Sequence, residues 1–140
     1  MQLVADELPK ARVLDLFAGT GALGLEALSR GAKYADFVEN APEALHSLKA
    51  NVNQLRVRER SRIFKRDAIP FAEMLQAGAY DIAFADPPYG SAKLDRILNR
   101  WKEVPFSRVL VLEHATDHPI RIGNARSRKF DDTTITVLRR

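Results

Sequence analysis

Apolar residues along the chain fall into short runs separated by stretches with helical spacing. Arg12-Val13-Leu14-Asp15-Leu16-Phe17 predicts a first strand, Gly19 to Gly21 a turn, and Ala22 to Ser29 a helix that stops at Gly31. Ala35 to Glu39 predicts a second strand. Pro42 opens a helix that runs to about Leu55, with Ala44, Leu45, Leu48 and Val52 on one face. Arg62 to Lys65 reads as strand three, Ile69 to Gln76 as a short helix closed by Gly78, and Tyr80 to Ala85 as strand four. A helix from about Ala92 to Trp101 and a strand from Arg108 to Glu113 follow. Ala125 to Phe130 and Thr133 to Leu138 read as a closing hairpin turned at Asp131-Asp132.

Strand–helix alternation of this kind predicts an α/β fold, a mostly parallel sheet with helices on both faces and an antiparallel hairpin at its C-terminal edge. Ligands of such sheets bind beyond the carboxyl ends of the strands, where strand order reverses. The residues that follow strands one to four are therefore the candidates for chemistry. The chain has 140 residues, which suits one domain. It contains no cysteine, so disulfides and Cys-based metal sites are excluded. The three histidines, His46, His114 and His118, lack metal-ligand spacing and read as structural or surface residues; no metal is expected. No apolar run approaches a membrane span and the N-terminus carries acidic residues, so a cytoplasmic chain without membrane contact is expected. The net charge of +4 permits an anionic partner. Two basic stretches, Arg56 to Arg66 and Arg126 to Arg140, serve equally well as phosphate contacts or as solvated edges.

Gly19-Thr20-Gly21-Ala22-Leu23-Gly24 is a G-x-G-x-x-G run between a strand and a helix, and Glu39 follows Gly19 by twenty residues. Glycines allow close backbone approach to a ligand, and a carboxylate at the end of strand two can accept from ribose hydroxyls. The run alone leaves the cofactor open between a dinucleotide and S-adenosylmethionine. Asp15, four residues before Gly19, favours a cationic sulfonium and ammonium over a pyrophosphate. Asp67, after strand three, is placed either to accept from an adenine amino group or to cap the next helix, and can do both.

Asp86-Pro87-Pro88-Tyr89 directly follows strand four. Two prolines fix the backbone there and present the Asp86 carboxylate and neighbouring carbonyls as acceptors. An exocyclic amino group needs such acceptors, because its lone pair is conjugated into the ring. Hydrogen bonds to Asp86 and the Pro87 carbonyl localise that lone pair, and Tyr89 is placed to stack on a base taken out of its helix.

Residues 13–32 resemble the first motif of the RsmD-type 16S ribosomal RNA guanine-N2 methyltransferases, and residues 80–89 resemble that family's catalytic motif. The resemblance runs from about Leu8 to the C-terminus. It implies a Rossmann-like class I methyltransferase fold with a seven-stranded sheet. It implies S-adenosylmethionine held by Asp15, Phe17, Ala18, Gly19, Thr20 and Gly21, by Glu39 with Asn40, by Asp67 with Ala68, and beside Asp86. Asp86, Pro87, Pro88 and Tyr89 would hold the guanine amino group, in 16S ribosomal RNA or the small subunit, with the enzyme acting as a monomer. Only about ten residues precede strand one, so the domain is expected to lack the family's Arg-rich RNA-positioning segment. Rival readings are an amino-methyltransferase acting on adenine N6 or on protein glutamine, and a cofactor-binding module without catalysis. A nicotinamide dehydrogenase is a more distant rival.

Overall fold

The computed structural model describes residues 1–88, 92–118, 120 and 125–140. The sheet strands are β1 (Arg12–Leu16), β2 (Tyr34–Val38), β3 (Ser61–Phe64), β4 (Tyr80–Ala85), β5 (Ser107–Ala115), β6 (Arg126–Phe130) and β7 (Thr133–Arg139). The helices between them are α1 (Ala22–Ser29), α2 (Pro42–Gln54), α3 (Ala68–Glu73) and α4 (Lys93–Glu103). Two short 3-10 turns, Gln2–Glu7 and Arg58–Arg60, lie outside the expected elements. They carry neither helical periodicity nor caps, which is why the sequence does not announce them.

The strand order is β3-β2-β1-β4-β5-β7-β6. β1 to β5 pair in parallel, whereas β7 runs antiparallel to both β5 and β6. The expected parallel sheet with a terminal hairpin is thus borne out. Two apolar layers cover it. One gathers Leu14, Leu16, Ala83, Ala85, Leu110 and Leu112 under α3 and α4. The other gathers Val13, Phe37, Ile82, Phe84, Val109 and Val137 under α1, α2 and the N-terminal turn. Successive strand residues point to opposite faces, so each strand feeds both layers. α4 buries Leu94, Ile97, Leu98 and Trp101, one face at helical spacing, and the Trp101 indole donates to the Ser107 carbonyl at 2.9 Å. No helix among the described residues is long and apolar enough to cross a membrane.

Boundaries shift by a residue or two from expectation. β1 ends at Leu16 because Phe17 turns to a positive φ of 56°, which breaks the strand before the glycine loop. β5 runs to Ala115 because β7 pairs with it from Val109↔Arg139 as far as Ala115↔Thr133, beyond the last residue paired with β4.

One polar group inside the sheet organises three strands. Asp36 of β2 is fully buried, and it accepts from Arg62 Nε at 2.9 Å, from the other Arg62 nitrogen at 2.7 Å and from the Tyr80 hydroxyl at 2.7 Å. The Asp36 carboxylate holds the Arg62 guanidinium above its ordinary range. Burial, together with the bond to Asp36, pushes the Tyr80 hydroxyl up as well. Arg62→Ala leaves the buried carboxylate with only Tyr80. The expected cost is about 2 to 3 kcal/mol, discounted because Arg62 is itself exposed to water. Thermal unfolding should show the midpoint falling by roughly 6 to 10 °C; a shift under about 1 °C would show that the pair contributes nothing.

Candidate active site at the carboxyl ends of the strands

Strand order reverses between β1 and β4, so the loops after these two neighbours open on one crevice. The loop after β1 is tied to β2. Ala18 N–H donates to the Val38 carbonyl at 3.0 Å, and Gly19 N–H donates to Glu39 Oε1 at 2.8 Å. Glu39 Oε2 accepts from Asn40 and Ala41 N–H at 3.1 and 2.9 Å. Glu39 therefore braces the loop as well as facing the crevice. A carboxylate offers about four acceptor positions, so capacity for a ligand hydroxyl remains.

The three glycines of the run do different work. Gly19 and Gly21 have φ of 59° and 88°, a region that favours glycine. A Cβ on Gly19 would meet nothing within 4 Å, so this backbone faces open space. Gly24 serves packing rather than a ligand: a Cβ there would lie 2.4 Å from the buried Phe37 ring. That contact lets α1 lie close on the sheet.

Asp15 sits at the centre of this packing with only 2% exposure, and its Oδ2 accepts from Gly24 N–H at 3.0 Å. Burial pushes its carboxyl up to about 8, against the Gly24 bond, and the nearby Asp86 and Glu39 carboxylates add to the rise. Near neutral pH Asp15 is largely protonated. It brings less negative charge to the crevice than its position in the sequence implies, and it anchors the first turn of α1.

An open groove of about 310 Å³ runs beside the loop, lined by Phe17, Glu39, Asn40, Asp67, Ala68 and Lys93 among others. The Lys93 ammonium stands 5.9 Å from the Phe17 ring centre. Asp67 occupies the N-cap position of α3, yet its side chain makes no capping hydrogen bond. Of the two roles open to Asp67, capping is not taken up. The groove thus gathers Phe17, Glu39, Asn40, Asp67 and Ala68 from the expected cofactor set, with Ala18, Gly19, Thr20 and Gly21 in the adjoining loop.

Asp86 lies at the surface just past β4, Pro87 is buried and Pro88 exposed. Tyr89 lies outside the described residues. Burial of one side of Asp86, then the charge of Glu113 and a hydrogen bond with it, push the Asp86 carboxyl up to about 6. Glu113 has no identifiable partner in the sequence. The partner is Asp86, because Ala85 pairs with Leu112 and the next residues on each strand come level.

The other flagged residues have structural partners or remain at the surface. His114 is buried, with Nε2 2.7 Å from Thr136 Oγ1, and His118 lies 3.3 Å from Asp95. In the first basic stretch, Arg60 donates to the Leu28 and Ala32 carbonyls, and Arg62 is held by Asp36. In the second, Arg139 is paired with Glu7, whereas Arg126, Arg128 and Lys129 are exposed on β6.

Residues 1–139 match the family model described as Conserved hypothetical protein 95. The candidate rRNA methyltransferase YlbH of Bacillus subtilis strain 168 is 39% identical over 109 residues, which is 74% of this chain and 59% of the relative. Ribosomal RNA small subunit methyltransferase D of Escherichia coli strain K12 is 36% identical over 97 residues, which is 69% of this chain and 48% of the relative. Among solved structures, the candidate methyltransferase YhhF of Escherichia coli superposes with a TM-score of 0.85 at 26% identity, covering 99% of this chain and 80% of that one. The chain spans about half to three-fifths of the length of these curated relatives.

Proposed function

Since the chain belongs to the Conserved hypothetical protein 95 family, with the RsmD-type relatives its two motifs resemble, we propose that it transfers a methyl group from S-adenosylmethionine to the N2 amino group of a guanine in small-subunit ribosomal RNA. One observation carries this reading: β1 and β4 are neighbours where strand order reverses, so the glycine loop and Asp86-Pro87-Pro88 open on the same crevice. The relatives' names supply the choice of ribosomal RNA.

The residues fit the cofactor. Glu39 has acceptor capacity for ribose hydroxyls, and the Asp67 carboxylate makes no capping bond and lines the groove. The open Gly19 backbone admits a close ligand. When bound, S-adenosylmethionine supplies an electrophilic methyl carbon. The protein's part is to hold the amino group and receive its proton. Asp86 accepts a hydrogen bond from one amino proton and the Pro87 carbonyl accepts one from the other, which turns the nitrogen lone pair toward the incoming carbon. Because transfer would break the methyl–sulfur bond, with its electron pair left on sulfur, and leave the amino nitrogen positively charged, the proton on that nitrogen would become acidic, and Asp86 is placed to receive it. A carboxyl near 6 is ionised at neutral pH, yet it is basic enough to take that proton. The remaining barrier is lowered by alignment.

The direct test is incubation of the protein with S-adenosylmethionine and small-subunit ribosomal RNA, followed by digestion and mass spectrometry of the nucleosides. N2-methylguanosine is the expected product. N6-methyladenosine in its place, or no modified nucleoside, rejects the reading.

A further inference from the structure

On the α1 side of the same sheet end lies a second cavity of about 540 Å³, including its open mouth. Its apolar wall includes Leu23, Phe84, Val111 and Ile135, and Glu113 and Arg128 supply charge. Strand alternation puts Asp86 and Glu113 on the face that carries Phe84 and Val111. The pairing of Ala85 with Leu112 then sets the two carboxyls level and close, so that burial and the Glu113 charge raise the Asp86 carboxyl. Glu113 pairs with Ile135, and Ile135 with Arg128, so these three form a row across β5, β7 and β6. Glu113 therefore touches both the cavity and the proposed amino-group acceptor.

We propose that this cavity receives the target base and that Glu113 is the residue that selects guanine over adenine. The inference rests on the methyl-transfer reading above and deepens it. A base taken out of its helix is read on its Watson–Crick edge and held between apolar side chains. Guanine presents two donors side by side there, N1–H and one N2 proton. Adenine presents an N1 acceptor beside its amino donor. The Glu113 carboxylate can accept the N1–H proton, beside the two amino protons held by Asp86 and the Pro87 carbonyl. Against adenine it sets a carboxylate oxygen facing the N1 lone pair, an unmade and repulsive contact. Arg128 supplies a cationic donor for O6. Leu23, Val111 and Ile135 supply the apolar surface for the ring.

Two measurements test this. In the first, guanosine, adenosine and 2-aminopurine riboside are titrated to millimolar concentration into methyl-labelled protein. Guanosine should move the Leu23, Val111 and Ile135 resonances and bind about 10-fold or more tightly than adenosine. Glu113→Gln, whose amide offers one acceptor and one donor, should abolish that preference. Unmoved resonances, or a preference that survives the substitution, overturn the proposal. In the second, methyl transfer is compared on RNA carrying guanine or 2-aminopurine, which keeps the N2 amino group but lacks N1–H. Glu113→Gln should lose about 10- to 100-fold in kcat/KM on guanine and stay within about 3-fold of the parent on 2-aminopurine. Equal losses on both substrates, the signature of general damage, reject it. Preferential guanosine binding without any modified RNA would instead remove the methyl-transfer reading and leave base selection standing.

Discussion

Asp86→Ala should lower methyl transfer by about three orders of magnitude, equivalent to about 4 kcal/mol of transition-state stabilisation. The substitution removes the acceptor that orients the amino lone pair and the base that takes its proton. The Pro87 carbonyl cannot replace it in both roles, since it accepts but does not hold a proton. Stability should not fall, because the change also removes a like-charge contact with Glu113 that raises the Asp86 carboxyl. Cofactor affinity, read by calorimetry, should move by less than about 10-fold, roughly 1.4 kcal/mol. In the parent enzyme kcat/KM should decline as pH falls through about 6, where the Asp86 carboxyl takes up a proton. Single-turnover rates within about 3-fold of the parent would remove Asp86 from the chemistry.

Asp15 should make the protein less stable as pH rises from about 4 to about 8. Its folded carboxyl titrates near 8 because it is buried, whereas in the unfolded chain it titrates near an ordinary carboxylate. Below the unfolded value both states hold the proton and its stabilising contribution is complete. As pH rises the unfolded chain releases the proton first, and folding loses up to about 1.4 kcal/mol per pH unit until the folded group ionises too. Over the full window the loss reaches about 5 kcal/mol. Asp15→Asn keeps an oxygen for the Gly24 N–H but cannot titrate. Urea unfolding of both proteins at pH 5, 6.5 and 8 should therefore show the variant gaining on the parent at each step. Parallel stability curves would mean that Asp15 does not hold its proton in the fold.

The two expectations concern carboxyls that the sequence marks with equal weight and the fold treats differently. Both follow an apolar run near a strand end. Asp15 lies within β1 under α1, where water is excluded, and Asp86 lies one residue past β4, where one side reaches solvent. Burial therefore keeps the first largely neutral at pH 7 and leaves the second ionised. A largely neutral Asp15 repels a pyrophosphate only weakly, so Asp67 and Glu39 are the carboxylates that favour S-adenosylmethionine.

Local rules made most of the architecture legible. Short apolar runs marked β1 to β5, Asp131-Asp132 the closing hairpin, Pro42 and Gly31 bounded helices, and G-x-G-x-x-G placed a glycine loop between β1 and α1. Asp86-Pro87-Pro88 could be placed at a strand end because two prolines cannot continue one. These signals lie within a few residues of one another, so the sequence by itself determined them. Strand order brings together residues far apart in the chain, and only the tertiary structure decided those contacts. It set Glu113 beside Asp86, 27 positions away, because β5 lies next to β4. It closed Arg62 and Tyr80 on Asp36 across β3, β2 and β4, and it made Gly24 a seat for Phe37. Spacing along a chain specifies which face a side chain takes. Which partner that face meets, and whether water reaches it, is settled only when the sheet is assembled.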